Sequence, residues 1–283
     1  MKKISRIAEI GEYLQKERDR GKIIGFVPTM GALHQGHLSL IECSKAETDL
    51  TVCSIFVNPI QFNNKSDLEK YPRNVADDCS KLEKAGCDVV FLPEAEEMYP
   101  GGATELIQVD FGSLDKVLEG KHRPGHFNGV AIVVKKLFDI VQPNKAYFGK
   151  KDFQQLLIVK SMVEQLKLPL EIVSCPIVRE ADGLAMSSRN MRLTIGERQV
   201  APRIYEVLSK MQGIAGTMSI AALKKWAIRK IEEAVPLKVE YLEIADTATL
   251  NPVISKRGKK DIVILTAVYL GDIRLIDNVE LFL

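Results

Sequence analysis

At 283 residues, with 46% hydrophobic and 27% charged residues, the chain is long enough to bury one large core or two smaller ones, and its composition excludes disorder. The balance of 39 Lys and Arg against 37 Asp and Glu leaves a net charge of +2, which excludes a global field for nucleic acid or an acidic membrane, so any anion must be held locally. No apolar run reaches the roughly 18 residues that span a bilayer, the N-terminal stretch returns to charge every few residues, and the five cysteines contain no C-x-x-C pair, so the expectation is a cytoplasmic chain with reduced thiols.

The first two-thirds alternates helical and strand patterns. A helix near 3–20 precedes the strand KIIGFV (22–27); a helix after Gly36 precedes TVCSIFV (51–57); a helical stretch near 67–85 precedes DVVFL (88–92). TELIQVD (104–110) is expected as a strand, followed by a helix near 128–141, the strand KAYFG (145–149), a helix over 152–166 and the strand EIVSCPI (171–177). Such alternation implies a parallel sheet covered by helices, a doubly wound, Rossmann-like α/β domain over residues 1–175 with ligands at the carboxyl ends of its strands. After Pro176 a polar loop leads into helices near 196–212 and 219–234 and strands YLEIAD, DIVILTAVYL and DIRLIDNV, which describes a smaller α+β domain over 176–283.

The most informative segment is FVPTMGALHQGHLSLI (26–41), where a strand passes through a glycine-containing turn into a helix. Two of the four histidines, His34 and His37, fall in that turn with Gly31 and Gly36 around them. A helix N-terminus offers free backbone N–H groups and the positive end of a dipole to a phosphate, and two imidazoles beside it could donate to charge developing at phosphorus. The competing account is that each histidine only caps the helix. H-x-G-H in this setting is similar to the signature of the nucleotidyltransferase superfamily.

AMSSRN (185–190), in the polar loop between the two domains, is similar to the K-M-S-K-S loop of the same superfamily, with Ala185 in place of the first Lys and the positive charge moved to Arg189. Arg189 can grip phosphate oxygens bidentately, and Ser187 and Ser188 add hydroxyl donors; a solvated interdomain loop is the alternative. In FGKKDFQQL (148–156), Lys151 can meet phosphate, Asp152 can accept from ribose or serve as a helix-start acid, and Gln155 lies one turn on. SIFVNPIQF (54–62) offers Asn58 and Gln61 to a hydroxylated acid, although Asn-Pro also forms turns. HRPGHFNGV (122–130) adds Arg123 as a carboxylate or phosphate partner, with His122 and His126 as loop residues. Asp77 and Asp78 are the acidic pair considered for magnesium, against a solvated helix face.

PTMGALHQGH, FVNPIQF, HRPGHFNGV, FGKKDFQQL and GLAMSSRN occur in this order, and together they resemble the pantothenate synthetase family over the whole chain. The resemblance implies ATP-dependent condensation of pantoate with β-alanine through a pantoyl adenylate, with release of AMP and pyrophosphate. It implies that Met30, Gly31, Ala32, Leu33, His34, Gln35, Gly36 and His37 hold ATP together with Gly149, Lys150, Lys151, Asp152, Val178, Met186, Ser187, Ser188 and Arg189. It matches Gln61 and Gln155 to pantoate, with Gln61 also placing β-alanine, and gives His37 the proton-donor role with His34 assisting. Magnesium accompanying ATP and a homodimer are further implications. Two rivals are a cytidylyltransferase, against which NPIQF and FGKKDFQQL argue, and an RNA-binding module, against which the balanced charge argues.

Overall fold

The computed structural model describes residues 1–62, 65–102, 109–255 and 261–281. The chain divides into two compact units, Met1–Lys150 with Gln155–Pro176, and Lys151–Gln154 with Ile177–Leu283.

Among the described residues, six strands build the first unit: β1 (Lys2–Ile4), β2 (Ile24–Thr29), β3 (Leu50–Ile55), β4 (Val89–Phe91), β5 (Lys145–Gly149) and β6 (Glu171–Cys175). All pair in parallel, in the order β1-β4-β3-β2-β5-β6. The interior strand β3, LTVCSI, is buried along its whole length, as a strand with both faces covered must be. Alternate residues serve opposite faces. Phe26, Val52 and Val89 pack with α1 (Ile7–Asp19), α4 (His126–Val141) and α5 (Phe153–Gln165), whereas Val27, Cys53 and Val90 pack with α2 (Gln35–Glu47) and α3 (Val75–Lys84). From β2 the chain winds outward through β3 and β4, then returns to place β5 and β6 on the other side. The carboxyl ends of β2 and β5 therefore flank the switch point where such sheets bind ligands.

Three differences from the sequence expectation have local causes. The first helix begins at Ile7, because Lys2–Ile4 is taken up as an edge strand beside β4. The stretch near 67–85 is two helices, Lys65–Glu69 and Val75–Lys84, since Pro72 cannot continue the hydrogen-bond ladder and the Asn74 side chain accepts from the Asp77 amide to start a new one. The strand expected at 104–110 falls largely on 103–108, outside the described residues.

The second unit carries α6 (Arg203–Ile214), α7 (Ile220–Glu232) and the antiparallel strands β7 (Leu237–Asp246), β8 (Ile262–Leu270) and β9 (Ile273–Leu281). Pro202 separates α6 from a short helix, Ile195–Val200, where the sequence pattern predicts a single helix near 196–212. The β8–β9 connection is the two-residue turn Gly271–Asp272, with Gly271 at φ +57°, the sign hairpin turns require at their first position. No helix among the described residues is long and apolar enough to cross a membrane.

Candidate active site

The turn after β2 is held by a carboxylate from α3. Asp78, 1% exposed, accepts from the Ala32 amide at 2.8 Å through Oδ2 and from the Leu33 amide at 2.7 Å through Oδ1. Lys81, one turn further along α3, donates to the Leu33 carbonyl at 2.8 Å. Gly31 sits at φ +80°, and a Cβ there would lie 2.9 Å from Asp78 Oδ2, so glycine is required both for conformation and for room. Ala32 also takes a left-handed φ of +51°, a conformation that its bond to Asp78 stabilises.

His34 is the N-cap of α2 and makes a reciprocal capping box with His37. The Gly36 amide donates to His34 Nδ1 at 3.2 Å, and the His34 amide donates to His37 Nδ1 at 3.3 Å. The His37 and Leu38 amides bond the His34 carbonyl, so these first-turn N–H groups, expected to await a phosphate, are already engaged. Capping and chemistry are nevertheless compatible. A neutral imidazole that accepts at Nδ1 carries its proton on Nε2, so capping fixes both rings as Nε2–H donors. The rings lie side by side, with centroids 4.0 Å apart, and both are half-buried.

A buried amide network adjoins the turn. Gln61, at the end of the short 3-10 helix Pro59–Gln61, donates through Nε2 to the Met30 sulfur at 2.8 Å and accepts at Oε1 from Asn58 at 3.2 Å. Asn58 also donates to the Gly129 carbonyl and accepts from the Tyr99 hydroxyl at 3.0 Å. Asn58 is 0% exposed and has both ends of its amide engaged inside the protein, one of them on Gln61. The ring of His126 contacts the Gln61 carbonyl oxygen at 2.8 Å, and Gly129 lets α4 approach so closely that a Cβ there would sit 2.6 Å from the Ile60 carbonyl oxygen. Arg123 lies 3.6 Å from Glu119.

Lys150, Lys151 and Asp152 form a 3-10 turn directly after Gly149, at the carboxyl end of β5. Lys151 Nζ stands 4.0 Å from the Asp152 carboxylate, and Gln155 is half-buried in the first turn of α5.

In the second unit, Val178 and Met186 close a small hairpin: the Met186 amide donates to the Val178 carbonyl at 3.1 Å, and Arg179 bridges Ala185 in antiparallel fashion. Ser187 then caps a 3-10 helix, Ser188–Arg192, by accepting from the Arg189 amide at 3.3 Å, while Asn190 donates to the Ala185 carbonyl. MSSR is thus a capped turn rather than an unstructured loop.

The acidic pair does not converge on one site. Asp78 faces the histidine turn, whereas half-exposed Asp77 pairs with Lys81 at 2.7 Å. The described residues contain no group of three or more His, Cys, Asp or Glu able to hold a metal. Asp77 and Asp78 do not fit a resident magnesium site. Tyr99, which no sequence motif marks, donates its hydroxyl to Asn58 from a segment with no recognisable pattern.

Comparison with known proteins gives a consistent picture. The family model for pantoate-beta-alanine ligase matches residues 2–280. Pantothenate synthetases of Porphyromonas gingivalis and Bacteroides thetaiotaomicron are 48% and 49% identical, covering 97% and 99% of both chains in each pair. The crystal structure of the Thermus thermophilus pantothenate synthetase is 44% identical with a TM-score of 0.91, covering 100% of both chains. That of a Francisella tularensis pantoate-beta-alanine ligase, complexed with beta-gamma ATP and beta-alanine, is 35% identical with a TM-score of 0.85, covering 99% of this chain and 97% of its own. The chain belongs to the pantoate-beta-alanine ligase family, enzymes that form an amide.

Proposed function

We propose that this ligase joins pantoate to β-alanine in two half-reactions. In the first, a pantoate carboxylate oxygen attacks the α-phosphorus of ATP, the bond to the bridging oxygen breaks, and pyrophosphate leaves. In the second, the β-alanine nitrogen attacks the acyl carbon of pantoyl adenylate, AMP leaves, and the nitrogen gives up a proton. A free carboxylate is a poor acyl donor, and the mixed anhydride supplies AMP as a leaving group.

The observation that carries this reading is the histidine capping box at the switch point, which holds two imidazoles as Nε2–H donors beside an organised amide. His37 is the donor to the charge that builds on phosphate oxygens, and His34 assists. Donors set in place before reaction stabilise such charge without reorganising. Lys151 supplies a point charge for phosphate, Gln61 and Gln155 bind pantoate, and Val178 with Met186–Arg189 completes nucleotide binding. Magnesium is assigned to the polyphosphate as ATP's counter-ion, with no step resting on the Asp77 and Asp78 pair. That the Francisella relative was solved with beta-gamma ATP and beta-alanine supports the substrate assignment.

The test is pantoate-dependent exchange of labelled pyrophosphate into ATP in the absence of β-alanine. Exchange is expected. A chain that exchanges only when β-alanine is present, and from which no pantoyl adenylate can be trapped, would refute the two-step reading.

A further inference from the structure

Two residues of β9, far along the chain from every motif, tie together both nucleotide-binding segments of the second unit. Asp277, 4% exposed, grips Arg179 with both oxygens, at 2.7 Å to Nη1 and 2.9 Å to Nη2. The same guanidinium donates to the Gly183 carbonyl at 3.1 Å and the Asn278 carbonyl at 3.2 Å, and lies 3.7 Å above the Tyr205 ring. Arg179 belongs to the hairpin that starts at Val178 and delivers Met186–Arg189. Gly183 at its tip, with φ +90°, is confined by that same ring, since a Cβ there would clash with Tyr205. The neighbouring Asn278 turns the other way and donates through Nδ2 to the main-chain carbonyl of Lys151 at 2.9 Å. Burial pushes the Asp277 carboxyl up, opposed by the Arg179 guanidinium and more weakly by Lys151.

A bidentate ion pair fixes both distance and orientation in a way that a single contact does not. Here one end of the pair is a strand residue in a paired ladder, and the other is the stem of the hairpin. Adjacent positions of one strand thus hold the hairpin and the Lys151 carbonyl in a common frame. We propose that Arg179, Asp277 and Asn278 are positioning residues for adenylation, holding the Lys151 turn and the Val178–Met186 hairpin in one register so that ATP meets both at once. This rests on the function proposed above and adds to it three residues that act through the Lys151 carbonyl and the hairpin stem.

The experiment compares wild type, Asn278→Ala and Arg179→Lys. Arg179→Lys keeps the charge and the stem but loses the fork, so it stays informative should Asn278→Ala fail to fold. Initial rates are measured against ATP and against pantoate separately, and amide formation is followed from supplied pantoyl adenylate and β-alanine. Each variant is expected to raise the KM for ATP about tenfold, the equivalent of one lost buried hydrogen bond. The KM for pantoate and the rate from supplied adenylate should stay within about twofold, because neither needs the polyphosphate. Variants that melt earlier yet keep the wild-type KM for ATP, or that raise both KM values equally, overturn the positioning role. A wild-type enzyme without pantoate-dependent pyrophosphate exchange instead overturns the function on which it rests.

Discussion

The histidine turn and the serine turn are both anchored by a buried aspartate, yet the aspartates act on different parts of the chain. Asp78 accepts directly from two main-chain amides, so the backbone from Ala32 to Leu33 is set by one carboxylate on a helix that packs against the same sheet. Asp277 acts through another side chain, gripping Arg179, which belongs to a hairpin whose own backbone bonds span only a few residues. The first device fixes backbone directly and suits a site that must exist before substrate arrives. The second holds a hairpin by its stem, and the continuation of that hairpin, Ser187–Arg192, opens with a local cap. One region is preorganised by a carboxylate on its own backbone, and the other is tethered through side chains, Arg179 on Asp277 and Asp182 on Arg198.

The sharpest way to break this comparison is to remove the first anchor. Asp78→Ala should cost roughly 2–6 kcal/mol, because two buried amides lose their acceptor at about 1–3 kcal/mol each. Urea denaturation measures it. Asp77→Ala, one position away, breaks only an exposed pair with Lys81 and should change stability by less than about 0.5 kcal/mol. Equal effects from the two substitutions would show that the acidic pair acts as a unit after all.

Next in size is the separation of capping from chemistry at His37. His37→Ala should slow single-turnover adenylation by about 10²–10³, the loss typical of one transition-state donor. Part of its effect on stability comes from the lost cap. His37→Gln keeps an acceptor at the third helical position, as a capping box demands, so it should restore the melting temperature more than the rate. Recovery of both together would leave only the capping account.

The two units also differ in cysteine content: all five lie in the first. Burial pushes the Cys87 thiol up to about 12, burial and the neighbouring Cys43 do the same for Cys175, and burial carries Cys53 well above its usual value. Between about pH 8.5 and 12 the folded state keeps protons that the unfolded chain releases, so stability is present below that window and falls as pH rises through it. The slope is about 1.4 kcal/mol per pH unit for each such thiol. Urea melts from about pH 8 to 11, followed by circular dichroism, should show Cys87→Ala losing stability less steeply than wild type. Trp226, in α7, reports the second unit and should be the later probe to change. Parallel slopes for the two proteins would remove Cys87 as a contributor.

Much of this organisation was legible in the sequence, for a physical reason. Strands buried on both faces write continuous apolar runs, and the VVF of β4 and the largely apolar IGFV of β2 mark the parallel sheet directly. The histidine turn, the Asn-Pro turn and the lysine turn are local, so their residues stand together in the chain. What the sequence concealed is the non-local polar pairing: Ala32 with Asp78, Asn58 with Tyr99, Arg179 with Asp277 and Lys151 with Asn278. A hydrogen bond between residues so far apart in the chain imposes no period and no composition on either segment. The Asp77–Asp78 step illustrates the point. Adjacent helical residues point about 100° apart, so two carboxylates that look like a pair in the chain meet different groups in the fold: Asp78 the Ala32 and Leu33 amides, Asp77 the Lys81 ammonium.

The smallest expected effect lies at the tethered region, where Ser187 accepts from the Arg189 amide and opens the short 3-10 helix. Replacing a capping serine by alanine typically costs about 1 kcal/mol of local stability. Because the turn is short and lies beyond the Arg179 anchor, this loss should stay local: global denaturation should barely move, while exchange at the Arg189 amide should rise about fivefold. Saturating ATP and pantoate should slow exchange across residues 183–192 in wild type, since a turn that binds phosphates gains donors and acceptors from them. In Ser187→Ala the same ligands should slow exchange less, and the KM for ATP should rise with the pantoate KM unchanged. If exchange in 183–192 is the same with and without ligand, the turn is an ordered feature with no part in closing over nucleotide. If Ser187→Ala instead lowers global stability as much as Asp78→Ala does, the two regions are anchored alike and the distinction between preorganised and tethered fails.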